Sequence, residues 1–236
     1  DVMAIRVDAQ CASAVNQLDL ACGLIATGMA KAVLCVQTHV IQRAFTASDT
    51  PWSYQFGDMA TAVVVGMTDR HHLIDFEHAT NAQYAKATVW RRRRTGDEPH
   101  WFRKGGAYRV GSLMDSQAMA DMMPEIVGMQ VRQLATVSAR GHGFDCYVGN
   151  QPRGWIGPLV AKTIGIDRCV QTFASWAHIG SCGAVYNLGL ALGLVTDSYH
   201  KLEEIQDMID PVKPGATVAM VQLGAGLRCS TVVINA

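Results

Sequence analysis

Val7-Asp8-Ala9-Gln10-Cys11-Ala12-Ser13-Ala14 decides how this chain is read, because it passes an apolar run on to a helix with a cysteine at the junction. Upstream, Val2, Ile5 and Val7 predict a short strand. Downstream, Ala14, Val15, Leu18, Ala21, Cys22 and Ile25 recur at steps of three and four, the period of one buried helix face, and Gly28 stands at a C-cap position. Cys11 is therefore expected at or just before the first turn, where unpaired backbone N–H groups and the helix dipole favour a thiolate. A thiol so placed falls below its free pKa of roughly 8.5 and attacks at neutral pH. The alternative is a buried, inert cysteine, one of seven in the chain.

The 236 residues, 49% of them hydrophobic, suffice for a substantial core in one large domain or two modest ones. Twenty basic and 20 acidic residues cancel, which argues against nucleic acid or a charged membrane surface as the main partner. The run Arg91-Arg92-Arg93-Arg94, with His100, Arg103 and Lys104 after it, is the exception, and a solvated loop is its ordinary explanation. Seven cysteines without a Cys-x-x-Cys pair form neither a disulfide framework nor a zinc site, so a reducing, cytoplasmic setting is expected. No apolar run reaches the length of a membrane span and no signal pattern opens the chain. Asp1-Val2-Met3-Ala4-Ile5 reads as already inside a strand, so the chain is expected to be a fragment or processed form lacking what should pair beside it.

Along the chain, Lys31 to Thr38 reads as a strand buried on both faces, forming a parallel strand–helix–strand unit with the first strand. Residues 41–56 read as a loop that closes at Phe56-Gly57-Asp58-Met59-Ala60. Ala62 to Gly66 and Leu73 to Glu77 read as strands joined into a hairpin through Asp69-Arg70. Residues 80–112 are loop-like, and Asp115 to about Arg140 is a helix with Pro124 as a start or kink. Asp145 to Gly149 is a strand, and Pro152 opens a helix to Ile164. A strand at Cys169 to Phe173, a glycine- and alanine-rich helix at Cys182 to Val195 and an acidic helix at 200–209 follow. Two strands, Thr217 to Val221 and Thr231 to Ile234, end the chain around Leu223-Gly224-Ala225-Gly226. Strands and helices alternate, so the class is α/β. Residues 1–79 read as the remainder of a half that carries Cys11, 80–114 as a connecting region, and 115–236 as a second half of similar element order.

Four motifs in this order resemble the ketoacyl synthase III branch of the thiolase superfamily. They are Gln10-Cys11-Ala12-Ser13 at the helix start, Phe56-Gly57-Asp58-Met59-Ala60 at a strand entry, the turn Lys213-Pro214-Gly215, and the hairpin Gly224-Ala225-Gly226. The resemblance covers the whole chain. It implies a duplicated, layered α-β-α-β-α thiolase-like architecture, with the first strand–helix units of the N-terminal half absent from this chain. It also implies that Cys11 accepts an acyl group. The family's His-Gln-Ala-Asn motif reads Asn150-Gln151-Pro152-Arg153 here, and its His-Gly-Asn-Thr reads His178-Ile179-Gly180-Ser181. Asn150 donates a hydrogen bond but exchanges no proton near neutral pH, and Gly180 has no side chain.

His178, two positions before the lost asparagine, is the candidate base for Cys11; the alternative is a histidine with a purely structural role. His39 ends a strand, His71 and His72 sit in a turn, His142 lies in a glycine loop, and none has metal-ligand spacing, so no metal is expected. By resemblance the Ala225 N–H, flanked by Gly224 and Gly226, joins that of Cys11 in facing a thioester oxyanion, although a hairpin turn alone also needs glycine. By resemblance Trp155 lies at the mouth of the acyl-pantetheine tunnel; the alternative is helix core. The basic run offers phosphate-binding forks for coenzyme A or an acidic carrier protein.

These features imply an acyltransferase of the ketoacyl synthase III type that takes an acyl group from a coenzyme A or acyl-carrier-protein thioester without a cofactor. By resemblance, the family's histidine and asparagine at these two motifs assist decarboxylation of the second substrate, and their loss at Asn150 and Gly180 points to specialised, natural-product or polyketide, biosynthesis. A non-catalytic or half-catalytic subunit is the second reading, paired as a homodimer or heterodimer through Val33 to Gln37, with a separate chain supplying the missing N-terminal part. A thiolase-fold thioesterase is the third.

Overall fold

A computed structural model describes residues 2–40, 55–85, 88–93, 109–114, 116–195 and 210–236. Its order is α1 (Ser13–Ala26), β1 (Ala32–His39), β2 (Met59–Gly66), β3 (His72–Thr80), a 3-10 turn (Ala82–Tyr84), β4 (Thr88–Arg93), β5 (Arg109–Met114), α2 (Ser116–Ala139), β6 (Cys146–Gly149), α3 (Ile156–Thr163), β7 (Arg168–Val170), α4 (Phe173–Trp176), α5 (Ser181–Ala191), β8 (Thr217–Gly224) and β9 (Arg228–Asn235).

Five strands form the central sheet in the order β3-β9-β8-β6-β7. β6 runs parallel to β7 and β8, whereas β9 is antiparallel to both of its neighbours. Residues of β8 alternate between two apolar clusters. Val218 and Met220 join α1, α5, β1 and β2 on one face; Ala219, Val221 and Leu223 join α2 and α3 on the other. The layers are therefore the β1–β2 pair, α1 with α5, the five-stranded sheet, and α2 with α3. This is the layered α/β arrangement that the motifs implied. Helix α5 sits between two sheet layers, which explains why Ser181 to Val185 and Asn187 to Ala191 are all buried and why small residues are frequent in it. Helix α1 ends as its sequence predicts: Gly28 takes φ +71 and its N–H bonds the Ile25 carbonyl at 3.0 Å.

Several expectations are corrected. Residues 2–8 form no strand, and Val2, Met3 and Ile5 are exposed, because among the described residues no neighbouring strand supplies ladder bonds. The parallel unit expected there is therefore not formed. β2 pairs antiparallel with β1, and β3 pairs with β9 across the molecule, so the hairpin through Asp69-Arg70 does not exist. β3, placed by sequence with residues 1–79, belongs to the sheet built from the C-terminal elements. β1 is buried on one face only: Cys35 and Gln37 point inward, whereas Leu34 and Val36 are 63% and 50% exposed. Within 80–112, which reads as loop, β4 and β5 pair antiparallel, and Arg91 to Arg93 lie in a strand opposite Arg109 to Gly111. The expected loop at 41–54, Arg94, His100, Arg103 and Lys104, and the acidic helix at 200–209 lie outside the described residues. Among the described residues no helix is long and apolar enough to cross a membrane.

Candidate active site

Cys11 stands on a strained bend two residues before α1. Gln10 has φ +56, a left-handed conformation that costs a non-glycine residue roughly 1–2 kcal/mol. Ser13 holds the bend: its hydroxyl accepts from the Ala9 N–H at 2.9 Å and donates to the Gln10 carbonyl at 2.6 Å. The Gln10 N–H in turn donates to Asp8 Oδ1 at 3.0 Å. Left-handed non-glycine residues recur nearby, at Gln151 (φ +44) beside Asn150 and at Ala177 (φ +56) beside His178. Strain of this kind persists only where the surroundings over-determine the backbone.

The surroundings are a set of side-chain clamps. Asn150, at the end of β6, donates from Nδ2 to the Cys11 carbonyl at 3.0 Å and to the Leu223 carbonyl at 2.7 Å, and its Oδ1 accepts from the Leu223 N–H at 3.1 Å. Both amide hydrogens are thus committed to tying the Cys11 bend to the end of β8. Gln222 makes a second tie: Oε1 accepts from the Val15 N–H at 2.8 Å and Nε2 donates to the Ser181 carbonyl at 2.9 Å, joining the starts of α1 and α5. Gln151, Thr172 and Asn187 form a third, buried network, from which Gln151 Nε2 reaches the Ala177 carbonyl at 3.2 Å. The glycine hairpin lies against the bend, since a β-carbon on Gly224 would come within 2.6 Å of the Ala9 carbonyl oxygen. Only glycine permits that approach.

His178 is buried, 7% exposed, and Nδ1 donates to the Asn150 carbonyl at 3.0 Å. Its backbone pairs with the Phe56-Gly57 motif: the His178 N–H bonds the Gln55 carbonyl at 2.8 Å, and the Gly57 N–H bonds the His178 carbonyl at 3.1 Å. Glycine at 57 is required because a β-carbon would stand 2.5 Å from the Trp176 carbonyl oxygen. His39, at the inward-facing end of β1, donates from Nδ1 to the Gly57 carbonyl at 2.8 Å. The His39, Phe56 and His178 rings form a cluster, with centroids 5.9 Å apart for the two histidines and 5.3 Å for Phe56 and His178.

Burial pushes the His178 pKa down to about 4, assisted by His39 and Arg153 and opposed by the Asn150 and Gln151 carbonyls. Burial also lowers His39, against the pull of the Gly57 carbonyl and Asp58. Both rings are neutral at pH 7. Cys11 departs from the expected activation: desolvation, then Cys182 and Asp8, raise its thiol to about 12, and only its own backbone N–H opposes. The reason is structural, because α1 begins at Ser13 and its Val15 N–H is already taken by Gln222. The thiol is thus protonated at pH 7, and a nucleophilic role would need a base.

The structure brings Cys11, Asn150, His178 and Gly224 together and gives each a defined bond or contact. Ala225 and Gly226 form the half-buried turn between β8 and β9, with Gly226 at φ +76. Trp155 is 50% exposed at the start of α3, so it is not helix core. Sequence reasoning missed His39. Its signal was parity: residues 35, 37 and 39 share the inward face of β1.

This architecture defines a thiolase-like α/β protein in which a cysteine at a strained pre-helix bend faces a glycine hairpin. Residues 6–82 match the family model for 3-oxoacyl-[acyl-carrier-protein] synthase III. No curated protein matches the sequence. Solved structures with the same fold include 3-oxoacyl-(acyl carrier protein) synthase III, FabH, from Pseudomonas aeruginosa, with a TM-score of 0.73 and 20% identity, aligned over 96% of this chain and 66% of that one. The Aquifex aeolicus 3-oxoacyl-[acyl-carrier-protein] synthase III aligns with a TM-score of 0.72 at 18% identity, over 100% of this chain and 68% of that one. A variant of OleA from Xanthomonas campestris aligns with a TM-score of 0.71 at 17% identity, over 99% and 66%. The chain thus spans 66% of the length of the FabH structure from Pseudomonas aeruginosa. Residues 6–82 thus match the family that the motifs resemble, and the whole chain shares the fold of these structures.

Proposed function

We propose that this chain is an acyltransferase of the ketoacyl synthase III type: Cys11 takes an acyl group from a coenzyme A or acyl-carrier-protein thioester and passes it to an acceptor, with no cofactor. The observation that carries the reading is the Asn150 clamp, which holds the Cys11 bend against the glycine hairpin as a nucleophile must be held against oxyanion donors. Cys11 is the nucleophile, and Ala225 with Gly224 and Gly226 supplies the hairpin donor. Asn150 acts as a positioning residue, because both its amide hydrogens are spent on backbone carbonyls. Trp155, exposed at the start of α3, is the aromatic that packs on the thioester arm. A role in specialised biosynthesis accords with Asn150 and Gly180 standing where the family motifs carry histidine and asparagine.

Intact-mass spectrometry tests the reading. Incubation with a panel of acyl-coenzyme A and acyl-carrier-protein thioesters is expected to add an acyl mass that Cys11→Ala abolishes. No added mass with any donor overturns it. Release of free acid without transfer would favour a thioesterase instead.

A second reading has its own observation. Leu34, Val36 and Val64 expose a contiguous apolar face of the β1–β2 pair, at 63%, 50% and 69%. Such a face suits a dimer, homomeric or with a separate chain that supplies N-terminal elements. A folded chain that is never acylated, alone or with its partner, would favour a half-catalytic subunit.

A further inference from the structure

His39 and His178, whose rings are in contact, are set in one tautomer. A backbone carbonyl only accepts, so the contacts to the Gly57 and Asn150 carbonyls fix the hydrogen of His39 and of His178 on Nδ1. In a neutral ring the other nitrogen, Nε2, then carries a lone pair and no hydrogen. At His39 the site thus presents a proton acceptor where stabilisation of a carbanion or enolate needs a proton donor. The Asn150 amide does not change this, since its hydrogens are committed.

His39 stands in front of Gly180. A β-carbon there would overlap the imidazole, with Nε2 at 2.9 Å, so the ring occupies the volume that any side chain at 180 would take. Gly180 is the N-cap of α5, and Ser181, the next residue, is tied through Gln222 to the start of α1, beside Cys11. His178, in ring contact with His39, is linked to the same bend through Asn150, whose backbone carbonyl takes the His178 hydrogen while its side chain holds the Cys11 carbonyl. His39 is only partly buried, whereas His178 is 7% exposed.

Resting on the acyltransferase reading, we infer that His39 is the general base of the site and that the acyl acceptor is a protic nucleophile, an alcohol or an amine, rather than a decarboxylating malonyl thioester. In acylation, the Cys11 S–H proton passes to His39 Nε2, the sulfur–carbon bond forms, and the donor thiolate leaves with that proton. In transfer, the acceptor O–H or N–H proton passes to Nε2 as oxygen or nitrogen bonds the acyl carbon. The carbon–sulfur bond then breaks and the proton returns to Cys11. Nothing is oxidised or reduced, and no carbon dioxide is released.

The test separates this inference from the reading beneath it. Wild type and His39→Gly, the variant with imidazole added to replace the missing base, are acylated to completion with acyl-coenzyme A, freed of donor and of imidazole, and mixed separately with benzylamine, benzyl alcohol and malonyl-coenzyme A. Loss of acyl mass from Cys11 is followed together with the product. In wild type the amine or the alcohol is expected to discharge the acyl group as amide or ester. In His39→Gly discharge is expected to slow at least about 100-fold and to recover when imidazole is added, which a packing role for the ring would not produce. His39→Gln serves as the volume-conserving control and should be slow without rescue. Equal discharge in wild type and both variants overturns the assignment of His39. Discharge by malonyl-coenzyme A with release of carbon dioxide, or discharge by neither the amine nor the alcohol, overturns the acceptor class. If wild type forms no acyl-enzyme at all, the acyltransferase reading fails and this inference fails with it.

Discussion

The ring of His39 fills the space in front of Gly180, so the two residues are complementary: one supplies an imidazole, the other the absence of a side chain. Gly180 also has φ +58 and ψ −138, which a side chain resists. Gly180→Ala is therefore expected to destabilise the fold by about 2–4 kcal/mol, from backbone strain and displacement of His39. Combined with His39→Ala, part of that cost should vanish, leaving the backbone component. A double-mutant cycle by urea denaturation measures the coupling, and strict additivity would show that the two residues do not share this volume.

Asn150 serves three backbone groups at once. Asn150→Ala leaves the Leu223 N–H and two carbonyls without their partner and should cost about 2–4 kcal/mol. Asn150→Asp keeps an acceptor for the Leu223 N–H but points oxygen at two carbonyl oxygens, so it is expected to be at least as damaging at pH 7. If asparagine were instead a donor to substrate, both variants would lose acylation with stability intact.

Ser13 closes the bend below Cys11 with two hydrogen bonds. Ser13→Ala is expected to lower stability by about 1–2 kcal/mol and to slow acylation more than the loss of stability accounts for, because Gln10 then relaxes from its left-handed conformation. Acylation rates measured well below the melting temperature separate the two effects.

His178 imposes a pH dependence whose sign is fixed. Its pKa falls from 6.5 in the unfolded chain to about 4 in the fold, so the unfolded state binds the extra proton between those values. Stability contributed by the neutral ring is present above about pH 6.5 and is lost progressively as pH falls towards 4, by up to about 3 kcal/mol. Thermal denaturation of wild type minus that of His178→Gln across this range reads the difference, and parallel curves would contradict the depressed pKa.

Gly224 admits the hairpin to within contact of Ala9 and Ala12. Gly224→Ala should push the turn off the Cys11 bend and reduce acylation by about tenfold or more, since a displaced oxyanion donor loses its aim. Retained acylation in a folded Gly224→Ala variant would remove the hairpin from the site.

By itself the sequence determined what depends on neighbours along the chain. The three-and-four spacing from Ala14 to Ile25 gives α1, and glycine at 28 stops it. The apolar runs at 217–224 and 228–235 give two strands around a glycine turn. The ordered motifs were enough to place Cys11 before a helix and beside a hairpin. Pairing between distant strands was not legible, because β3 satisfies its ladder with β9, the last strand of the chain, rather than with its neighbour β2. Nor was the electrostatic state of the site. The expected activation of Cys11 assumed open helix donors, and it was the fold that gave the Val15 N–H to Gln222 and packed the thiol among groups that raise its pKa. The exchange of a side chain at 180 for a ring at 39 joins positions 141 residues apart, and only close packing of β1 against the start of α5 decides it.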